Sequence, residues 1–232
     1  MSILPGKFLY NKHDNSGSNL GNDSTLKDGR RFGFKVILVG EAEVGKTCIF
    51  NRYTKDEFDS TYKCTIGSEY MLKTYQFEEK YTVQLNIWDT CGSEKYRAIT
   101  KQYYSGVHAA LLVFDITNAK SFKKLNEWID DINNCCLKNC LIVVVANKKD
   151  LEGRREVSRD VIKRFLAQHK GLAFFETSAR TAEGVKEMFE KVVEVLFKKD
   201  RNGEFEVPAE QQDVLNRSDY SNQDNRRKEG CC

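Results

Sequence analysis

Two short stretches of this 232-residue sequence carry residue types whose spacing points to chemistry. The first is Gly40-Glu-Ala-Glu-Val-Gly45-Lys46-Thr47, which fits G-x-x-x-x-G-K-[ST]. Glycines let a backbone turn so tightly that successive N–H groups face one anion. Here those are the amides of Ala42, Glu43, Val44, Gly45, Lys46, Thr47 and Cys48. A helix starting there adds unsatisfied N–H groups and the positive end of its dipole. Lys46 supplies a full charge to the β- and γ-phosphates, and the Thr47 hydroxyl is a magnesium ligand. A chance match in a chain of this length has a probability of roughly 1%. The loop alone does not choose between ATP and GTP.

The second stretch is Asn147-Lys148-Lys149-Asp150, directly after the apolar run Leu141 to Ala146. A carboxylate at Asp150 accepts two hydrogen bonds from the N1–H and N2 amino group of guanine. Adenine offers no such pair, so the carboxylate would be left unpaired at a heavy cost. Lys148 can lay its stem over the ring, and Asn147 can tie neighbouring loops. Thr177-Ser178-Ala179-Arg180 follows a further strand; Ser178, Ala179 and Arg180 are expected beside the base, with the Ala179 N–H on O6. On its own N-K-x-D is weak, and its value here lies in its place downstream of a phosphate loop.

A third group concerns the metal and the γ-phosphate. In Asp89-Thr-Cys-Gly92, Asp89 reaches the magnesium shell through a water and the Gly92 N–H reaches the γ-phosphate. Thr65, in the loop between the first helix and the second strand, completes the metal shell when that phosphate is present. The metal set is therefore Thr47, Thr65 and Asp89. The candidate catalytic set is Ser93, Gly92, Lys46 and Thr65.

These residues need a scaffold that gathers them. Phe34–Val39 reads as a short β-rich strand before a glycine, and the continuous apolar runs at Ala109–Asp115 and Leu141–Ala146 read as strands buried on both faces. Tyr70–Phe77, Thr82–Trp88 and Leu172–Glu176 read as three more. Between them lie helical stripes: one opening at Val44 to Tyr53, one through Phe122, Leu125, Ile129 and Ile132, one through Val161, Ile162, Phe165 and Leu166, and one from Val185 to Leu196. Alternating strand and helix predicts an α/β domain with a mostly parallel sheet, whose ligands bind at the strands' carboxyl ends. The patterned part is 34–199. Residues 1–33 and 200–232 are polar and read as a flexible extension and a flexible tail.

Composition excludes some classes. The net charge is only +3, and no basic stripe with interleaved aromatics argues for nucleic acid. The longest apolar runs are strand-length, too short to span a bilayer. The opening residues lack a charged lead followed by an apolar core, so a reducing, cytosolic location with free thiols is expected. The eight cysteines include Cys135, Cys136 and Cys140, a grouping without the matching second pair that a zinc site needs. His13, His108 and His169 suggest no catalytic or metal role.

Taken together, these pieces resemble the small GTPases of the Ras superfamily, and more closely the Rab family, across about Phe34 to Lys199. The carriers are Thr65-Ile-Gly-Ser-Glu-Tyr70, Leu85-Asn-Ile-Trp-Asp-Thr90, Lys95-Tyr-Arg-Ala-Ile-Thr100, the run Tyr103 to Thr117, and the terminal pair Cys231-Cys232. The resemblance implies a P-loop GTPase domain with a six-stranded, mostly parallel sheet, its second strand antiparallel, flanked by five helices. It implies GTP and GDP as ligands with Mg2+, Phe58 packed against the guanine, and switches around Cys64 to Gly67 and Cys91 to Arg97. It implies a monomeric switch in vesicle-mediated transport on the cytoplasmic face of an intracellular membrane, with a cytosolic pool. The implied partners are an exchange factor, a GTPase-activating protein, a prenylation escort, a GDP-dissociation inhibitor and effectors. Cys231 and Cys232 would carry the lipid, because two chains anchor firmly where one does not.

Two departures bear on mechanism. Where the family has Gln after D-T-x-G, this chain has Ser93. The family's Gln orients the attacking water, and a serine hydroxyl is too short to do the same. Slow intrinsic hydrolysis is the expectation, and a GTP-bound module that recruits effectors without cycling is the alternative. Glu43 takes a position often held by Gly, and its side chain is expected to point outward.

Overall fold

The computed structural model describes residues 30–60, 65, 68–77, 80–92 and 101–205. Six strands form one sheet in the order β2-β3-β1-β4-β5-β6. They are β1 (Arg30–Val39), β2 (Ser68–Phe77), β3 (Tyr81–Thr90), β4 (Ala109–Asp115), β5 (Leu141–Asn147) and β6 (Ala173–Glu176). Among the described strands only the β2–β3 pair is antiparallel. Among the described residues there are five α-helices: α1 (Lys46–Lys55), α2 (Ala119–Lys123), α3 (Leu125–Cys135), α4 (Arg159–Gln168) and α5 (Val185–Arg201).

The apolar runs bury both faces of the sheet, as their lack of alternation requires. Phe34, Val36 and Leu38 of β1 join Ile49 and Phe50 of α1 and Met188, Phe189 and Val192 of α5 in one core. Ile37 and Val39 point the other way, into a core with Leu125, Trp128 and Ile129 of α3 and Ile162 and Phe165 of α4. Because β1 pairs with β3 on one side and β4 on the other, the chain changes direction across the sheet at its end. That reversal opens a crevice at the carboxyl end of β1, where the phosphate loop begins.

Expected and observed elements differ mainly at their ends. The first strand begins at Arg30, because Arg31 and Phe32 pair with Thr82 and Val83 of β3. The first helix begins at Lys46, because Gly45 takes a left-handed φ of 94°. The stripe through Phe122 to Ile132 is split at Lys124 into α2 and α3. The tail expected from 200 is ordered at its start. Phe205 is buried and packs edge-on against His108 at 5.0 Å, with Phe34 at 5.4 Å on that ring. The remaining tail, residues 1–29 and the turn residues 78 and 79 lie outside the described residues.

His108 Nδ1 accepts the Lys35 amide at 3.1 Å, which requires a neutral ring. Burial first, and then the Lys35 charge, lower its pKa from the usual 6.5 to about 4. The unfolded chain thus binds this proton more readily than the folded one. His108 contributes stability above pH 6.5 that is lost as the pH falls towards 4, a difference of up to about 3 kcal/mol. In His108→Gln, which keeps an acceptor for the Lys35 amide, the unfolding free energy should fall less between pH 6.5 and 4. Urea titrations across that range read the slope directly.

Candidate functional site

The phosphate loop is shaped by backbone conformations that few residues tolerate. Gly40 has φ 137°, and a Cβ there would sit 2.2 Å from the Val113 carbonyl oxygen. At Gly45 a Cβ would meet Asn147 Nδ2 at 2.4 Å. Between them Glu43 holds φ 65° without being glycine, at a cost of roughly 1–2 kcal/mol. Its side chain is exposed at the rim. Alternation of left- and right-handed residues makes a concave nest of N–H groups.

Helix α1 opens at this nest with no side-chain cap and no acidic residue in its first turn. By contrast, Asn118 caps α2 and Ser158 caps α4. The α1 terminus thus keeps its donors and its positive field for an anion. Lys46, the first helical residue, is only 6% exposed. Its Nζ donates to the carbonyls of Gly40 at 2.9 Å and Glu41 at 2.7 Å. A Cβ on Gly92 would come within 2.1 Å of that Nζ, so only glycine lets this strand end approach the ammonium.

Beside Lys46 lie the three oxygens expected around a metal. Thr47 Oγ1 donates to Asp89 Oδ2 at 2.6 Å and lies 2.9 Å from Thr65 Oγ1. Asp89 is fully buried, and among the described residues its Oδ1 has no hydrogen-bond partner. Burial raises its pKa to about 6 against the pull of Thr47 and Lys46. A buried carboxylate oxygen without a donor, next to two hydroxyls, suits a hard divalent cation. Thr47, Thr65 and Asp89 therefore fit magnesium, which when bound would draw charge from the β- and γ-phosphate oxygens.

The base end is held by a lattice of side chains. Asn147, 1% exposed, donates from Nδ2 to the Val44 carbonyl at 2.9 Å. Its Oδ1 receives Thr177 Oγ1 at 3.3 Å and the Ala179 amide at 3.4 Å. Asn147 thereby joins the phosphate loop to the loop after β6. Ser178 Oγ donates to Asp150 Oδ1 at 2.6 Å and fixes the carboxylate plane. Lys148 pairs with Asp115 Oδ2 at 2.7 Å.

All of this surrounds one open cleft of about 840 Å3. Ala42, Glu43, Gly45, Lys46, Thr47, Cys48, Phe58, Thr65, Gly92, Asn147, Lys148, Asp150, Ala179 and Arg180 line it. Three expected residues do not. Val44 is buried and contributes its carbonyl to Asn147. Ser178 is buried behind Asp150. Asp89 lies beneath Thr47. Ser93, Cys231 and Cys232 lie outside the described residues.

Several positioning residues carry no sequence signal. Asp115 holds Lys148, and Arg52 on α1 donates to the Ala179 carbonyl at 2.9 Å. Asn51, Asp59 and Leu151 also line the cleft. Nothing in their spacing marks them. Cys135, Cys136 and Cys140 form no metal-binding group among the described residues. The Cys140 thiol is pushed up by its hydrogen bond with Cys136 and by burial.

A doubly wound sheet with a glycine-shaped anion nest, a buried lysine and a carboxylate for the base defines a P-loop nucleotide-binding domain that reads guanine. The sequence model of the Ras family matches residues 35–198, and the chain belongs to that family. It is a small GTPase, a switch between GTP and GDP, and the family binds its nucleotide with Mg2+. In this chain Lys46, Thr47, Thr65 and Asp150 line the cleft that such a nucleotide would enter.

Asp150→Ala should weaken GDP binding by roughly a hundredfold, because two charge-assisted bonds to guanine are lost. Ser178→Ala should weaken it by about tenfold through a less fixed carboxylate. Competition against a fluorescent GDP analogue measures both; equal affinities for the two variants and the parent would contradict the assignment.

Proposed function

We propose that this small GTPase is a Rab-like switch that recruits effectors during vesicle-mediated transport. The observation that carries the reading is an aromatic surface beside the metal pocket. Tyr70 on β2 is 47% exposed, its ring 5.0 Å from Trp88, which stands 5.6 Å from Tyr103. Leu72 extends the surface along β2. Exposed apolar patches of this kind suit a protein partner. Trp88, paired with Tyr70 across the β2–β3 ladder, directly precedes Asp89 of the metal pocket, where the Thr65 hydroxyl meets Thr47. Order gained with the γ-phosphate and lost without it would change that surface.

The Rab-like stretches around Thr65, Trp88 and Tyr103 support the same reading. Cys231 and Cys232 are the proposed lipid attachment sites, placing the protein on the cytoplasmic face of an intracellular membrane with a cytosolic pool. Among the described residues no helix is long and apolar enough to cross a membrane. An exchange factor, a GTPase-activating protein, a prenylation escort and a GDP-dissociation inhibitor are the proposed regulators.

Ser93 favours slow intrinsic hydrolysis, because its side chain cannot orient the attacking water as the family's glutamine does. The same residue supports a second reading: a GTP-bound module that recruits effectors without cycling. Single-turnover hydrolysis separates the two. The parent should turn over slowly, and Ser93→Gln should speed it by at least about tenfold. A parent rate already equal to that of Ser93→Gln would overturn the role given to Ser93. Acceleration of the parent by an activating protein would favour the cycling switch, and no acceleration the non-cycling module.

A further inference from the structure

Glu41 stands in the phosphate loop between Gly40 and Ala42. Its backbone and side chain do different things. The carbonyl accepts Lys46 Nζ at 2.7 Å, and a Cβ placed on Gly92 would lie 2.6 Å from that same oxygen. This carbonyl is therefore part of the wall that holds the phosphate-binding ammonium. On the side chain, Oε1 accepts the indole N–H of Trp128 at 3.0 Å. Trp128 belongs to α3, far away in sequence, and is 2% exposed. It is packed with Ile37 and Val39 of β1 and Leu112 of β4, so its ring cannot follow a moving loop.

A carboxylate in a loop that must cradle a polyanion is electrostatically unfavourable. Its harm depends on where it points. Anchored to the indole, the Glu41 carboxylate is fixed at the α3 side, and the backbone that carries the Lys46 acceptor is fixed with it. Without that bond, the loop loses its rigid attachment to the core. We infer that Trp128 is a positioning residue for the phosphate loop, acting through the Glu41 carboxylate to slow nucleotide release. The inference rests on assigning the cleft to a guanine nucleotide.

The test is a double-mutant cycle on the full chain, reading release of a methylanthraniloyl-labelled GDP into excess GDP with magnesium present. Trp128→Phe keeps the apolar ring and removes the donor. Glu41→Ala removes the acceptor, and Glu41→Gln keeps an oxygen at the same place. Trp128→Phe and Glu41→Ala should each release GDP roughly tenfold faster, the size expected for one charge-assisted bond. The double variant should match either single variant, and Glu41→Gln should stay within about twofold of the parent. Thermal midpoints of the GDP-loaded proteins are taken alongside. A packing defect in Trp128→Phe would lower its midpoint while leaving Glu41→Ala at the parent rate, and that result overturns the inference. So do effects that multiply in the double variant, or a Glu41→Gln as fast as Glu41→Ala. If the parent retains no labelled GDP, the assignment of the cleft fails, and the inference with it.

Discussion

Much of the site's architecture meets at the buried Lys46 ammonium. A cation removed from water needs oxygen partners when the phosphates are away, and it finds them in the carbonyls of Gly40 and Glu41. For those carbonyls to face the ammonium, Gly40 must take a conformation that side chains rarely adopt, against the backbone of β4. For β3 to end beside the ammonium, Gly92 must lack a side chain. The reversal of strand order at β1 creates the space, and the uncapped start of α1 sets the field. The glycine positions, the strand order and the helix start thus meet at one charge.

The second theme is that the loops of the site are held by one another more than by their own sequences. Asn147 spans from the phosphate loop to the loop after β6, and Arg52 reaches that second loop from α1. Each loop is thus a hydrogen-bond partner of the next along the cleft. The metal-site oxygens extend the contacts to Thr65 and Asp89. A switch needs such continuity between the chemistry and the surface that partners touch.

Much of this was legible in the sequence. Both phosphate-loop glycines, Lys46, Thr47 and the quartet Asn147 to Asp150 are separated by fixed local spacings, so a linear pattern captures them. The buried strands were legible because parallel strands covered on both faces are apolar throughout. Strand and helix ends were less so, as at Arg30 and Lys124, because pairing with β3 and local packing decide them. Asp115, Arg52 and Trp128 left no trace, since each acts on a residue distant in the chain. The contact of Ser178 with Asp150 is of the same kind, a relation that exists only in three dimensions. Ser93 is the opposite case, visible as a departure from a family pattern and informative only by its chemistry.

Binding a nucleotide and cleaving it are separable demands. The first is met by the whole cleft, whereas the second turns on the placement of one water. The account's central claim concerns the first, and it is tested most directly by extracting and identifying the nucleotide carried by the purified protein, with and without prior chelation of magnesium. The account predicts one guanine nucleotide per chain, retained with magnesium and lost quickly once the metal is chelated. An adenine nucleotide, no nucleotide, or retention indifferent to chelation would contradict it.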